Sequence, residues 1–168
     1  MSERDPLPAE RKVLERLGRL PLDFRAMAAV SNLFRASTAI RRHMERTVLA
    51  EDRLSWTSFV ALWVLWVWGE MESRDLAAAV GVSRPTSTGV VNTLERRGLV
   101  RRRRSSEDGR MVRVSLTPAG RRLIETLFPR FNAAEVAVTA GLTAEEQEAL
   151  AGMLRAMYRT VGGNGAGA

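Results

Sequence analysis

A chain of 168 residues, 45% hydrophobic and with a formal net charge of +7, is long enough to bury about 70% of its unfolded surface as one domain with extensions. It contains no cysteine, which excludes disulfides, thiolate metal sites and thiol redox sensing and points away from an oxidising compartment. No apolar run approaches the roughly 18 residues of a membrane span, and the opening MSERDPLPAERK lacks the apolar core of a signal peptide; the expected location is the cytoplasm, with no membrane partner.

Residues 1–20 read as a charged arm with Val13, Leu14, Leu17 and Leu20 at helical spacing, either a short docked helix or a solvated terminus. Residues 21–54 follow as a long helix opened by Pro21. Its stripe of Met27, Val30, Leu33, Phe34, Ile40, Met44 and Val48 keeps a three-four period and is longer than one small domain needs, so part of it is expected to meet another subunit. Ser55 is placed to cap a helix over residues 56–68 that is apolar almost all round and must be covered on several sides. Three of the chain's four tryptophans, Trp63, Trp66 and Trp68, crowd its end. Two readings stay open: a plain central core helix, or an aromatic wall in which Trp63 and Trp66, with Met27, Val30 and Phe34, line a pocket for a small aromatic or lipophilic effector.

Residues 81–122 carry the strongest signal. Ser73 is placed to cap a short helix over residues 74–80, Gly81 suits a turn, and Ser83 with Pro85 opens a second helix over residues 84–97. At 100° per residue, Ser87, Val90, Val91 and Leu94 fall on one side of that helix, and Pro85, Thr88, Gly89, Asn92 and Arg96 on the other. The first side is core. The second mixes donors and acceptors around small residues, as a major-groove reader requires. Leu99 to Arg104 and the alternating Val112, Arg113, Val114, Ser115, Leu116 then form a hairpin around a glycine-containing loop. Thr117 with Pro118 starts a further helix, with Leu123, Ile124, Leu127, Phe128 and Phe131 as its stripe. A capping box of Thr143 and Glu146 opens the last one, with Leu150, Met153, Leu154, Met157 and Val161 expected inward. Residues 162–168 read as a disordered tail.

Charge sharpens this picture. Residues 81–122 hold eleven arginines against Glu95, Glu107 and Asp108, a net of +8 where the whole chain has +7. An excess confined to one helix and hairpin is the footprint of a polyanion-binding face.

The succession DLAAAVGVSRPTSTGVVNTLERRGLVRRRRSSEDGRMVRVSLTPAG, within a resemblance covering about residues 22–161, is similar to the winged helix-turn-helix of the MarR transcriptional regulators. The resemblance implies a mainly α fold with a small β-hairpin wing, in which residues 55–120 form the DNA-binding domain and residues 21–54 and 121–161 supply long dimerisation helices. It further implies a homodimer on a pseudo-palindromic double-stranded operator, and a repressor released by a small ligand. The candidate DNA contacts are Ser83, Arg84, Pro85, Thr86, Thr88, Asn92, Arg96 and Arg103, with Asp108 and Arg110 matching the family's wing-tip pair, where the arginine enters the minor groove and the acid orients it. The arginine run at the wing base and the tryptophan-rich helix depart from the family pattern.

An enzyme is not expected, because no nucleophile–base constellation or metal-ligand spacing is present and His43 is the only histidine. No cofactor or metal is implied. The alternative is a winged-helix protein that binds a protein partner or RNA without operator specificity; the charged, aromatic-free face of the polar helix disfavours protein docking.

Overall fold

The computed structural model describes residues 5–104 and 111–162, and the chain separates between His43 and Met44 into two compact units. In the first, the arm is helical: α1 (Pro8–Leu17) begins where Glu10 accepts the Leu7 N–H at 2.7 Å. The second oxygen of Glu10 accepts from Asn32 Nδ2 at 3.0 Å, tying α1 to α2 (Phe24–Met44). The opening of α2 is set by Asp23 rather than Pro21. Its carboxylate accepts the N–H groups of Arg25 and Ala26, each at 3.0 Å, satisfying two of the donors that a helix start leaves free.

The helical path continues in one π-helical turn, Glu45–Leu49, with Val48 and Leu49 buried. Glu45 accepts the N–H of Trp56 at 2.9 Å and Ser55 that of Ser58 at 3.2 Å, so the start of α3 (Trp56–Trp68) is capped twice. Phe59, Leu62, Val64 and Leu65 of α3 are buried. Coverage is incomplete, however: among the described residues Val67 and Trp68 are exposed.

Around α3 lie α4 (Ser73–Val80), α5 (Arg84–Arg96), α6 (Pro118–Val138) and a three-stranded antiparallel sheet in the order β1-β3-β2. Its strands are β1 (Met71–Glu72), β2 (Val100–Arg104) and β3 (Val112–Leu116). Leu62, Leu65, Leu76, Leu94, Val100, Val114, Ile124 and Leu127 form the core they share. At two residues, β1 is too short to show alternation, which is why the sequence predicts only a hairpin. Its neighbour Ser73 is the first residue of α4 and not its cap; the hydroxyl donates to Val112 O at 3.1 Å, using the side chain to bind β3.

The start of α6 is fixed on the root of β2. Thr117 Oγ1 donates to Gly98 O at 2.6 Å and accepts the N–H of Gly120 at 3.0 Å. Gly120 is required by contact, since a Cβ there would lie 2.0 Å from Leu99 O. In α7 (Ala144–Gly162) the Thr143 N–H donates to Glu146 at 3.0 Å and the Glu146 N–H to Thr143 Oγ1 at 3.3 Å, the reciprocal cap expected from T-x-x-E. No residue of α7 is buried. Leu150, Met153, Leu154, Met157 and Val161, expected inward, are exposed on the single chain. Gly162 still belongs to α7; residues 163–168, expected as a disordered tail, lie outside the described residues.

Candidate nucleic-acid interface

Two helices joined by a tight turn present the polar face. α4 stops at Gly81, whose φ of 73° is the left-handed conformation that glycine takes without a Cβ clash. Val82 N–H then closes back on Ala77 O at 3.1 Å. Two residues later Ser83 caps α5: Thr86 N–H donates to its Oγ at 3.3 Å, and the two hydroxyls pair at 2.8 Å. Ser83 and Thr86 therefore shape the helix entrance with the same groups that would meet a phosphate.

α5 divides as its periodicity predicts. Ser87, Val91 and Leu94 are buried, while Arg84, Pro85, Thr88, Gly89, Asn92 and Arg96 are exposed. The Thr88 hydroxyl donates to Arg84 O at 2.9 Å, which leaves its lone pairs and methyl outward. No atom approaches within 4 Å of where a Gly89 side chain would begin, so the middle of this face is open.

The arginines sort into two groups. Several are engaged by the protein: Arg97 donates to Arg53 O at 2.9 Å and Asp52 O at 2.7 Å, holding a turn in which Arg53 has φ 50°; Arg101 donates to Ser115 Oγ at 3.2 Å; and Arg113 lies 3.9 Å from Glu70. Arg84, Arg103 and Arg104 have no partner among the described residues. Arg103 stands directly opposite Arg113, a like-charge pair whose cost to the sheet is offset in part by Glu70 beside Arg113.

Sequence reasoning missed one pair. Asn92 Oδ1 accepts from Arg102, whose backbone N–H donates to Glu95 at 3.1 Å. Arg102 Nε lies 3.4 Å from Glu95 and is buried, without hydrogen-bond alignment. The period-two rule could have found it, because Arg102 shares the inward side of β2 with buried Val100, and Glu95 is the only acid on α5. Asp108 and Arg110 lie outside the described residues.

Of the five candidate effector-pocket residues, Met27, Val30 and Phe34 belong to the first unit and Trp63 and Trp66 to the second. Met27 lines an apolar hollow of about 260 Å³ with Val13, Leu14, Phe24 and Ala28, whereas Val30 and Phe34 are exposed. Trp63 packs edge-on against Trp68 at 5.4 Å between centroids, and Trp66 lies 5.4 Å from Phe128. No helix among the described residues is long and apolar enough to cross a membrane.

A helix-turn-helix with a basic hairpin beside its second helix defines a winged-helix DNA-binding protein. The model of the MarR family matches residues 54–112. The uncharacterized HTH-type transcriptional regulator YwaE of Bacillus subtilis is 39% identical over 149 residues, 87% of each chain. The chain belongs to the MarR family and is a DNA-binding transcriptional regulator, not an enzyme. Among solved structures, that of Bordetella bronchiseptica BpsR, whose DNA binding is regulated by 6-hydroxynicotinic acid, superposes with a TM-score of 0.71 at 28% identity, covering 77% of this chain and 97% of that one. The homoprotocatechuate degradative operon repressor of Escherichia coli is 33% identical over 84 residues, 50% of this chain and 57% of that one.

Proposed function

We propose that the protein is a homodimeric repressor that reads a pseudo-palindromic operator with α5 and is released by a small aromatic or lipophilic ligand. The observation that carries operator reading is the exposed face of α5: Arg84 and Arg96 supply donors, Thr88 an acceptor and methyl, and Asn92 an amide, set around the open Gly89. These groups match base edges in the major groove, while Arg103 and Arg104 suit phosphates. Arg110, oriented by Asp108, is assigned to the minor groove on the family resemblance.

The homodimer is supported by α7, where Met153 is 59% and Val161 85% exposed on a helix with no buried residue among those described. Two-fold symmetry then requires half-sites about one helical turn apart. Ligand release is supported by two relatives, one named a repressor and one regulated by 6-hydroxynicotinic acid; the indoles of Trp63 and Trp66 would report an aromatic ligand. The test is a gel shift on DNA flanking its own gene, with excess competitor DNA, alongside light scattering. Selective binding by a dimer, weakened by hydroxylated aromatic acids that also quench tryptophan fluorescence, is expected. A monomeric mass at micromolar concentration refutes the assembly, and equal binding to DNA and RNA of any sequence favours the nonselective alternative.

A further inference from the structure

Asn92 carries the one side-chain amide of α5, which presents a donor or an acceptor depending on how it is turned. Its turn is fixed chemically. A guanidinium only donates, so the atom facing Arg102 must be Oδ1, and Nδ2 is left without a partner among the described residues. Arg102 is held in turn from α5 itself: Glu95 accepts its backbone N–H at 3.1 Å and lies 3.4 Å from its Nε. Asn92 and Glu95 stand one helical turn apart and share one arginine from β2, so the helix and the wing base are locked together at the residue that would meet a base.

Resting on the operator-reading function proposed above, we infer that Arg102, braced by Glu95, is a positioning residue that turns the Asn92 amide so its NH2 group faces the DNA. Asn92 then selects a base edge carrying an acceptor, such as the N7 of a purine, the O6 of guanine or the O4 of thymine, and rejects cytosine, whose groove edge offers a donor. Arg102 thereby contributes to specificity without itself touching a base.

Glu95 makes the inference separable from simple electrostatics. Removing a negative charge beside DNA raises affinity for every sequence, whereas removing the brace lowers discrimination at one base pair. The experiment measures binding of the full-length protein to an operator and to its single-base variants, for the wild type, Asn92→Ala, Glu95→Gln, Arg102→Gln and the pairwise doubles. Asn92→Ala is expected to abolish discrimination of about tenfold at one position per half-site, the order of one good base contact. Glu95→Gln should weaken discrimination at that same position while tightening nonspecific binding, and the doubles should lose no more than Asn92→Ala alone. In the free protein, the side-chain amide signals of Asn92 should shift in Glu95→Gln. The inference is overturned if Arg102→Gln weakens all DNAs equally with the base preference intact, if Glu95→Gln leaves discrimination unchanged, or if the amide signals do not move. A wild type that shows no base preference on any DNA instead removes operator reading itself, and the inference with it.

Discussion

Gly89→Ala separates what the fold wants from what the groove wants. Gly89 sits inside α5, where glycine costs a helix about 0.5–1 kcal/mol relative to alanine through backbone entropy. Its backbone has no positive φ, and nothing lies within 4 Å of an added Cβ, so the methyl enters open space without strain. The free protein should therefore become more stable by about 0.5–1 kcal/mol, raising Tm by a few degrees. The same methyl would stand between Thr88 and Asn92 on the face assigned to DNA. If α5 lies in the major groove with this position at closest approach, the methyl displaces the helix and loosens base contacts worth about 1–3 kcal/mol each. Operator affinity should fall at least tenfold while nonspecific, phosphate-driven affinity changes little. Urea denaturation gives the first quantity and anisotropy titration on operator and unrelated DNA the second. A variant that is stabilised and still binds its operator at wild-type strength would refute the placement of α5, since the helix would then have a methyl's clearance from the bases.

Other expectations follow from the same contacts. Gly120→Ala forces a Cβ to within 2.0 Å of the Leu99 carbonyl, so α6 must shift from β2, and a loss of about 1–3 kcal/mol is expected in urea denaturation; wild-type stability would show that the junction yields freely. Arg103→Ala relieves the like-charge pairing with Arg113 and should stabilise the hairpin by a few tenths of a kcal/mol, yet reduce the slope of log K against log salt by about 0.9 if Arg103 contacts a phosphate. An unchanged slope would place it off the DNA. The carboxyl of Glu10 is held below its ordinary value of 4.5, first by the Leu7 N–H and then by the Asn32 amide. Its contribution is thus present above 4.5 and lost as pH falls through the lowered folded value. The protection of the Leu7 amide, its exchange rate relative to an unprotected amide at the same pH, should fall on acidification in the wild type and already be lost at neutral pH in Glu10→Gln; equal protection in both would show that the cap does not hold α1.

Much of the fold is legible because local and global signals agree along residues 55–120. Ser55, Ser83 and Thr117, and beyond them Thr143, each precede a helix and each hydroxyl accepts an N–H there, and the period of α5 separates buried Ser87, Val91 and Leu94 and half-buried Val90 from the exposed face. The failures have a common cause. Ser73 looks like a cap but bonds β3, because a hydroxyl serves whichever partner the tertiary structure offers. The stripe of α7 reads as inward although its own chain leaves it uncovered, since periodicity marks an apolar face without saying whose surface covers it. Arg102 looks like one charge among eleven because charge summation ignores the strand alternation that turns it toward α5.

That last miss bears on how this surface divides its work. A run of four arginines at the wing base looks like a block of equal positive charge, but pairing by alternate residues breaks it up. Arg101 serves β3 through Ser115, Arg102 serves α5 through Asn92 and Glu95, and Arg103 and Arg104 have no partner among the described residues. If Arg103 and Arg104 contact phosphates as proposed, they supply attraction that falls with salt and is blind to sequence. The engaged ones supply geometry, held by short hydrogen-bonded contacts that salt screens less where they are part-buried, as at Arg102. The two groups should thus respond differently to ionic strength: raising salt should weaken all binding through Arg103 and Arg104 while leaving the ratio of operator to nonspecific affinity, set by the Arg102-held amide, comparatively intact. A selectivity ratio that collapsed in step with affinity would mean that sequence is read through the phosphates and not through the α5 face.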